Sequence, residues 1–198
     1  MNWVVPLLHR YTRARIFLAC PFPFRVCTMS AMPFPASRFV RIWIFLGSRL
    51  HRFGGADRRF QYKGKFHGAT VIDDYAHHPT EIRASLSAAQ NYPHERIICV
   101  FQPHTYTRTK AFLSDFADAL SLADVVVLAD IYAAREQDIY GVSSKDILRL
   151  LEEKQVEAYY FPSFAEIEDF LREKCMNGDL LITMGAGNVV NIGEDLLK

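Results

Sequence analysis

The stretch that decides the fold runs from Arg96 to Asp130 and reads "RIICVFQPHTYTRTKAFLSDFADALSLADVVVLAD". It begins and ends with short apolar runs rich in valine and isoleucine, which are typical of strands buried on both faces. Between them, "RTKAFLSDFADALSLA" places Phe112, Phe116 and Leu120 on one face of a single predicted helix. A helix that joins two buried strands is the crossover of a parallel βαβ unit, so the stretch predicts a parallel sheet.

The same alternation continues on both sides of this stretch. Upstream, "RRFQYKGKFHGATVIDD" predicts two strands around a Lys-Gly turn, and "PTEIRASLSAAQNY" predicts a helix with Pro79 in its first turn. Downstream, the helices "SSKDILRLLEEK", "SFAEIEDFLREKC" and "NVVNIGEDLLK" alternate with the strands "VEAYYF" and "DLLITM", with Ser143 and Ser163 as helix caps. The predicted class is α/β, with a mainly parallel sheet covered by helices on both faces.

The first part of the chain differs in kind from the rest. From Met1 to Ala56 there are eight arginines, no lysine and no acidic residue, whereas the remainder has 15 basic and 22 acidic side chains. Residues 1–52 show neither helical nor strand periodicity. Three interpretations stay open: an arginine-rich targeting peptide, an irregular extension, or translation in the wrong reading frame, which we favour.

Composition excludes several classes of function. The acidic balance of the orderly part argues against nucleic-acid binding, and the apolar runs of the first segment are too short and too often broken by proline to predict a membrane span. The four cysteines, at 20, 27, 99 and 175, have no paired spacing, which favours a reducing cytoplasm, and Cys99 is predicted to be a buried thiol.

Polar clusters follow the predicted strands where each strand ends. They are "DDYAHHP" from Asp73, "QPHTYTRTK" from Gln102, "DIYAARE" from Asp130 and "MGAGN" from Met184. Ligands bind to α/β sheets at the carboxyl ends of the strands, so one edge is expected to carry the functional site.

Single residues in these clusters allow alternatives. Asp74 suits either a helix cap or a ribose diol, because a carboxylate accepts from two hydroxyls. His77 and His78 are adjacent, which disfavours joint metal ligation relative to capping or hydrogen bonding. Arg108 lies in the first turn of a helix, where the dipole disfavours a cation, and this favours an anionic partner over a simple surface position.

Taken together, "RRFQYKG", "VIDDYAHHPTEI", "VFQPHTYTRTK", "DIYAARE", "VSSKDI" and "GDLLITMGAGNV" resemble the carboxy-terminal domain of the Mur ligase family. The resemblance covers residues 53–198 and implies a Rossmann-like fold. It also implies an ATP-dependent ligase of peptidoglycan precursor synthesis that adds L-alanine to UDP-N-acetylmuramate through an acyl phosphate. ATP and Mg²⁺ would be held mainly by a central domain absent from this chain, which has no GxxxxGK[ST] loop.

The resemblance also implies roles for single residues. Arg59 would contact a nucleotide phosphate and Asp74 the ribose, while His104 and Arg108 would position the carboxylate of alanine or of the product. Tyr75, His77 and His78 would line the same cleft, with no metal ligand and no catalytic residue assigned. Family members often carry an arginine where this chain has Thr105, so Arg108 is expected to bear more of the carboxylate recognition.

Two other functions remain open. One is a related ligase that attaches a preformed peptide to the same sugar nucleotide. The other is a freestanding domain that binds a nucleotide or an amino acid without catalysis. If the reading frame changes near Leu50 to Phe53, the chain is a fragment and is expected to be inactive alone.

Overall fold

The computed structural model describes residues 57–198, and the predictions for residues 1–52, Cys20 and Cys27 lie outside that range. Twelve elements alternate along it, beginning with two strands. The strands are β1 (Gln61–Phe66), β2 (Ala69–Asp74), β3 (Ile97–Phe101), β4 (Val125–Leu128), β5 (Glu157–Tyr160) and β6 (Leu180–Met184). The helices are α1 (Pro79–Ala89), α2 (Tyr106–Ala111), α3 (Leu113–Leu120), α4 (Ser144–Glu153), α5 (Phe164–Lys174) and α6 (Val190–Leu196).

The strands form one sheet in the order β1-β2-β6-β3-β4-β5. Only β1 is antiparallel to its neighbour, which confirms the predicted mainly parallel sheet. The last strand, β6, lies between β2 and β3 and pairs with both in register, so that Asp74, Met184 and Phe101 end side by side. This alignment brings the polar clusters that follow these strands to one edge.

Each face of the sheet has its own apolar core, as expected for strands covered on both sides. On one face, Ile72, Ile182 and Phe101 pack with Leu86 and Phe116 from the helices. On the other face, the strand residues Val71, Val100 and Val127 pack with Ile167 of α5 and Ile192 of α6. Cys99 is fully buried as predicted, and burial raises the pKa of its thiol to about 12.

Two local predictions were wrong. The chain does not turn at Lys63-Gly64, which lies within β1 beside a bulge, but at His67-Gly68, where both φ angles are positive, 49° and 86°. That pattern is typical of a two-residue hairpin turn, and sequence spacing alone favoured the wrong glycine.

The second error concerns the long helix predicted from Arg108 onward. It is two helices, α2 and α3, because Phe112 leaves helical geometry at φ −123°. By contrast, Ser163 caps α5 as predicted, with its hydroxyl accepting from the N–H of Glu166 at 3.3 Å. Ser143 donates its N–H to Asp146 at 2.9 Å, which confirms the predicted capping arrangement of α4.

The hairpin turn provides a test of the fold. A Cβ on Gly68 would lie 2.9 Å from the Cβ of Asn177, whereas a Cβ on Gly141, also at positive φ, would meet nothing within 4 Å. Both Gly→Ala changes incur the left-handed penalty of about 1–2 kcal/mol. We expect Gly68→Ala to lower the free energy of unfolding more than Gly141→Ala in urea titrations. Equal losses would contradict the close contact at the turn.

Candidate functional site

Backbone contacts tie the polar loops at the carboxyl edge together. The N–H of Thr105 donates to the carbonyl of Tyr132 at 2.9 Å, and the N–H of Tyr132 donates to the carbonyl of Pro103 at 2.8 Å. The N–H of Gly185 donates to the carbonyl of Asp74 at 3.1 Å. The N–H of Gln102 donates to the carbonyl of Met184 at 3.0 Å, which connects the chain after β3 to the end of β6. These contacts join the loops after β2, β3, β4 and β6 into one surface.

Arg58 anchors the start of this surface. Its Nε donates to Asp73 at 2.9 Å, and its two terminal nitrogens donate to the carbonyls of Gly187 at 3.1 Å and Gly185 at 2.7 Å. The Asp73 side chain is fully buried, and its other oxygen accepts from Thr183 at 2.8 Å. Sequence reasoning did not single out Arg58, because only the fold brings it to these carbonyls.

Arg59 differs from its neighbour. Its side chain is exposed, and its guanidinium lies 5.8 Å from the centre of the Tyr75 ring, within cation–π range. Within residues 57–198, the guanidinium of Arg59 makes no hydrogen bond. An exposed arginine without a hydrogen-bond partner among the described residues suits an oxyanion, because its planar fork matches phosphate geometry.

Asp74 is buried and accepts hydrogen bonds from protein donors, which agrees with the structural alternative weighed from the sequence. Its side chain is 4% exposed. One oxygen accepts from the N–H of Phe60 at 3.1 Å and the hydroxyl of Ser85 at 2.8 Å, and the other from the N–H of Ala76 at 2.8 Å. A carboxylate has about four acceptor positions. The expectation that both oxygens are available for a ribose diol is therefore corrected, since one position at most remains.

Four rings form a row along the edge, which we call the aromatic row: Tyr75, His77, His104 and Tyr132. Successive ring centres lie 5.4, 5.9 and 5.7 Å apart. Tyr132 was not a predicted site residue, although it lies in the "DIYAARE" motif. Its position depends on the bridge between the loops after β3 and β4, which no sequence period reveals.

His104 and Arg108 lie together, as the sequence predicted. Arg108 Nη1 is 3.4 Å from His104 Nδ1, and since arginine only donates, this nitrogen accepts. Partial burial, followed by the charges of Arg108 and His77, lowers the pKa of His104. The imidazole is therefore neutral at pH 7, with its proton on the other ring nitrogen.

His78 does not join the aromatic row, in contrast to the expected cleft lining. Its Nδ1 accepts from the N–H of Thr80 at 3.3 Å and caps α1, which is the hydrogen-bonding role weighed from the sequence. The ring packs at 4.9 Å on Phe112 and lines a separate open groove with Arg83 and Asp115. The backbone of His78 is extended, with φ −113° and ψ 142°, and in extended backbone adjacent side chains point to opposite sides.

Thr105 and Glu136 occupy the start of α2. Thr105 has φ 66°, and its hydroxyl accepts from the N–H of Arg108 at 3.4 Å. Glu136 accepts from the N–H of Thr107 at 2.9 Å, which is the main reason that its pKa is lowered. Sequence reasoning missed Glu136. The carboxylate occupies backbone donors that would otherwise be open to an anion.

Within residues 57–198, no group of three His, Cys, Asp or Glu side chains could hold a metal ion, and no helix has the length and apolar character to cross a membrane.

The fold and this edge define an α/β domain that carries Arg58, Arg59 and Arg108 at the carboxyl ends of its strands. The family described as "Mur ligase, glutamate ligase domain" matches residues 58–187. The chain belongs to the Mur ligase family.

Three known proteins indicate the branch of the family. A UDP-N-acetylmuramate–L-alanine ligase of Agathobacter rectalis is 78% identical over 149 residues, covering 75% of this chain and 32% of that protein. A protein with the same name from Lachnoclostridium phytofermentans is 63% identical over 146 residues, covering 74% of this chain and 31% of that protein. The crystal structure of UDP-N-acetylmuramate–alanine ligase from Thermotoga maritima matches with TM-score 0.62 at 28% identity, covering 80% of this chain and 35% of that one. The chain thus spans about a third of the length of these relatives.

The lowered pKa of His104 gives a test by titration. Because the folded protein disfavours the imidazolium, we expect an NMR titration midpoint for His104 below the ordinary value of 6.5. The unfolded chain then binds more protons than the folded one near that pH, so His104 makes the protein less stable as pH falls through 6.5.

Arg108→Ala should raise the titration midpoint of His104, because it removes a nearby positive charge. Lys110→Ala changes an exposed cation on the same helix and serves as the matched control, with no change expected. A midpoint that does not move in Arg108→Ala would show that the two side chains do not interact.

Proposed function

We propose that this chain carries the third domain of a UDP-N-acetylmuramate–L-alanine ligase, in peptidoglycan precursor synthesis. In that reaction ATP phosphorylates the lactoyl carboxylate, and the amine of L-alanine attacks the acyl phosphate. The tetrahedral intermediate then expels phosphate. Support comes from the names of the similar proteins and from the arrangement of the strand-end edge.

The observation that carries the proposal is the aromatic row with an arginine beside its first ring and another beside its third. Arg59 lies over Tyr75 at one end, and Arg108 contacts His104 near the other. A ligation through an acyl phosphate requires a nucleotide phosphate and an amino-acid carboxylate to be held near one another. Two cations separated by a short row of rings meet that requirement by positioning.

At the nucleotide end, Arg59 is proposed to bind a phosphate of ATP. Arg59 is exposed, and within residues 57–198 its guanidinium makes no hydrogen bond that phosphate binding would have to displace. Asp74 is proposed to accept from one ribose hydroxyl, which the three protein donors on its carboxylate leave room for.

At the amino-acid end, Arg108 is proposed to bind the carboxylate of L-alanine or of the product. Neutral His104 holds the guanidinium through Nδ1 and has its protonated nitrogen free to donate to the same carboxylate. Thr105 stands where relatives of this family often carry an arginine, and its short side chain caps α2 instead. Tyr75 and His77, as members of the aromatic row, are proposed to line the cleft between the two arginines.

The described residues fit part of what ATP requires. They offer an arginine for phosphate and a single acceptor for ribose, but no cluster of carboxylates for Mg²⁺. We therefore propose that the metal and the remaining phosphate contacts belong to a domain outside residues 57–198. Mg²⁺ would there neutralise phosphate charge.

We also propose that residues 53–198 form one domain and that residues 1–52 come from a shifted reading frame. The chain alone is proposed to be inactive as a ligase. The proposed location is the cytoplasm. Reading the upstream DNA in all three frames tests the second point. A glycine-rich phosphate loop ending in Lys and Thr should appear there in another frame, and its absence would refute the shift.

A chimera tests the function directly. Residues 53–198 would replace the matching part of the Agathobacter rectalis relative, which is 78% identical to this chain. We expect ATP hydrolysis by the chimera to depend on UDP-N-acetylmuramate and L-alanine, whereas the 198-residue chain alone should show none. A folded chimera that accepts only a tripeptide, or no amine, would contradict alanine addition.

In the same chimera, Arg108→Ala should raise the KM for L-alanine about ten- to hundredfold, the loss expected for one charge-assisted hydrogen bond. The KM for ATP should change little. Lys110→Ala, an exposed cation two residues away, should leave both values unchanged. An unaltered alanine KM in Arg108→Ala would refute the assignment of this side chain.

A further inference from the structure

The turn Arg58–Arg59–Phe60 has an unusual backbone. Arg58 has φ 56° and Phe60 has φ 46°, so two non-glycine residues flank Arg59 in the left-handed region. Side chains with a Cβ disfavour this conformation, and it persists only where the surroundings enforce it. The contacts around Arg58 and Phe60 must therefore hold the turn in this conformation, with the exposed Arg59 between them.

We propose that Arg58 is a positioning residue, whose side chain enforces this turn and thereby presents Arg59 over Tyr75 to an oxyanion. The oxyanion class follows from the guanidinium of Arg59, and the inference rests on the proposed function in taking a nucleotide phosphate as that oxyanion. Arg58 itself does not contact the ligand.

The contacts of Arg58 fix the first half of the turn. Three of its donors are used by Asp73 and the carbonyls of Gly185 and Gly187, and its plane lies 4.9 Å from the Tyr75 ring centre. Its own carbonyl accepts from the N–H of Tyr75 at 2.7 Å. Both the guanidinium and the backbone carbonyl of Arg58 are thus held by hydrogen bonds. The φ angle of Arg58 therefore has little freedom to relax.

Asp74 and Tyr92 fix the second half. The N–H of Phe60 donates to Asp74 at 3.1 Å, and the Phe60 ring packs on Tyr92 with ring centres 5.1 Å apart. Arg59 lies between these two anchors with an exposed side chain. Both neighbours of Arg59 in sequence point to the protein, so the turn directs Arg59 outward.

Arg58 also couples this turn to the glycine turn after β6. A Cβ on Gly185 would lie 2.7 Å from the carbonyl of Gln102, and one on Gly187 would lie 2.3 Å from the side chain of Gln102. The glycine turn is therefore packed closely against Gln102 on one side and hydrogen-bonded to Arg58 on the other. A guanidinium fork spans both carbonyls and a carboxylate at once, which an ammonium group does not.

The first test uses the 198-residue chain without ligand. NMR signals of the Arg59 side chain should show a ring-current shift from Tyr75, and Tyr75→Leu should remove it. Arg58→Lys keeps a positive charge beside buried Asp73, so the fold should survive, but it should lose most of the Arg59 shift. Arg83→Lys, on the exposed face of α1, is the matched control and should retain it.

An unchanged Arg59 shift in folded Arg58→Lys would overturn the proposal, and so would a wild-type shift that Tyr75→Leu does not alter. If Arg58→Lys fails to fold, the pair Arg58→Gln with Asp73→Asn removes both charges together and is measured in the same way.

The second test titrates ADP into the same proteins. Arg58→Lys and Arg59→Ala should each weaken ADP binding about tenfold or more, as for one charge-assisted contact. Ile167→Val removes one methyl group from the opposite core and serves as the control for a general loss of stability; it should bind ADP as the wild type does. Wild-type affinity for ADP in Arg58→Lys would overturn the positioning role.

The two tests separate this inference from the function on which it rests. If the wild-type chain shows the Arg59 shift and loses it in Arg58→Lys, but binds no ADP, the positioning of Arg59 stands and its nucleotide role falls.

Discussion

The insertion of β6 between β2 and β3 is the constraint on which the rest of the structure depends. Residues 180–184 pair in parallel register with residues 70–74 on one side and 97–101 on the other. Without that strand, the two earlier strands would have no common neighbour and neither core would close. Such pairing joins segments that are about 80 to 110 residues apart, so its loop-closure entropy must be offset by the apolar surface buried on both faces.

The site is a direct consequence of this register. Because the carboxyl ends of the parallel strands coincide, the turn after β6 lies beside Asp73, Asp74 and Gln102, and Arg58 can bind two of its carbonyls. The two adjacent aspartates are both buried but have different partners, because successive strand residues point to opposite faces of the sheet. Asp73 is paired with Arg58, and Asp74 holds backbone and hydroxyl donors. Polar groups that look available in the sequence are thus largely part of the framework, and Arg59 is left outside it.

Most of the architecture was predictable. Buried apolar runs and helical spacing gave the element order, and Ser143, Ser163 and Pro79 marked helix starts through local hydrogen-bonding chemistry. The errors were local as well. The first hairpin contains two glycines, and the sequence did not distinguish which of them forms the turn. The break between the helices at Phe112 involves neither proline nor glycine, so no residue type in the sequence indicates it. For the candidate site, the motifs predicted that the polar clusters meet at one edge and that His104 lies near Arg108, and the structure shows both. They gave neither the separation of His78 from His77 nor the positions of Tyr132 and Glu136.

The sequence by itself determined the α/β class, the family and the edge at which polar chemistry collects, because these depend on periodicity and on the order of motifs along the chain. Only the tertiary structure decided which of those polar side chains face outward. Arg58 and Arg59 are identical and adjacent in the sequence, yet one is hydrogen-bonded to a buried carboxylate and the other is exposed. The difference comes from the fold: the first hairpin brings Asp73 to Arg58, and the pairing of β6 brings the carbonyls of Gly185 and Gly187, more than a hundred residues away, within hydrogen-bond distance of the same side chain.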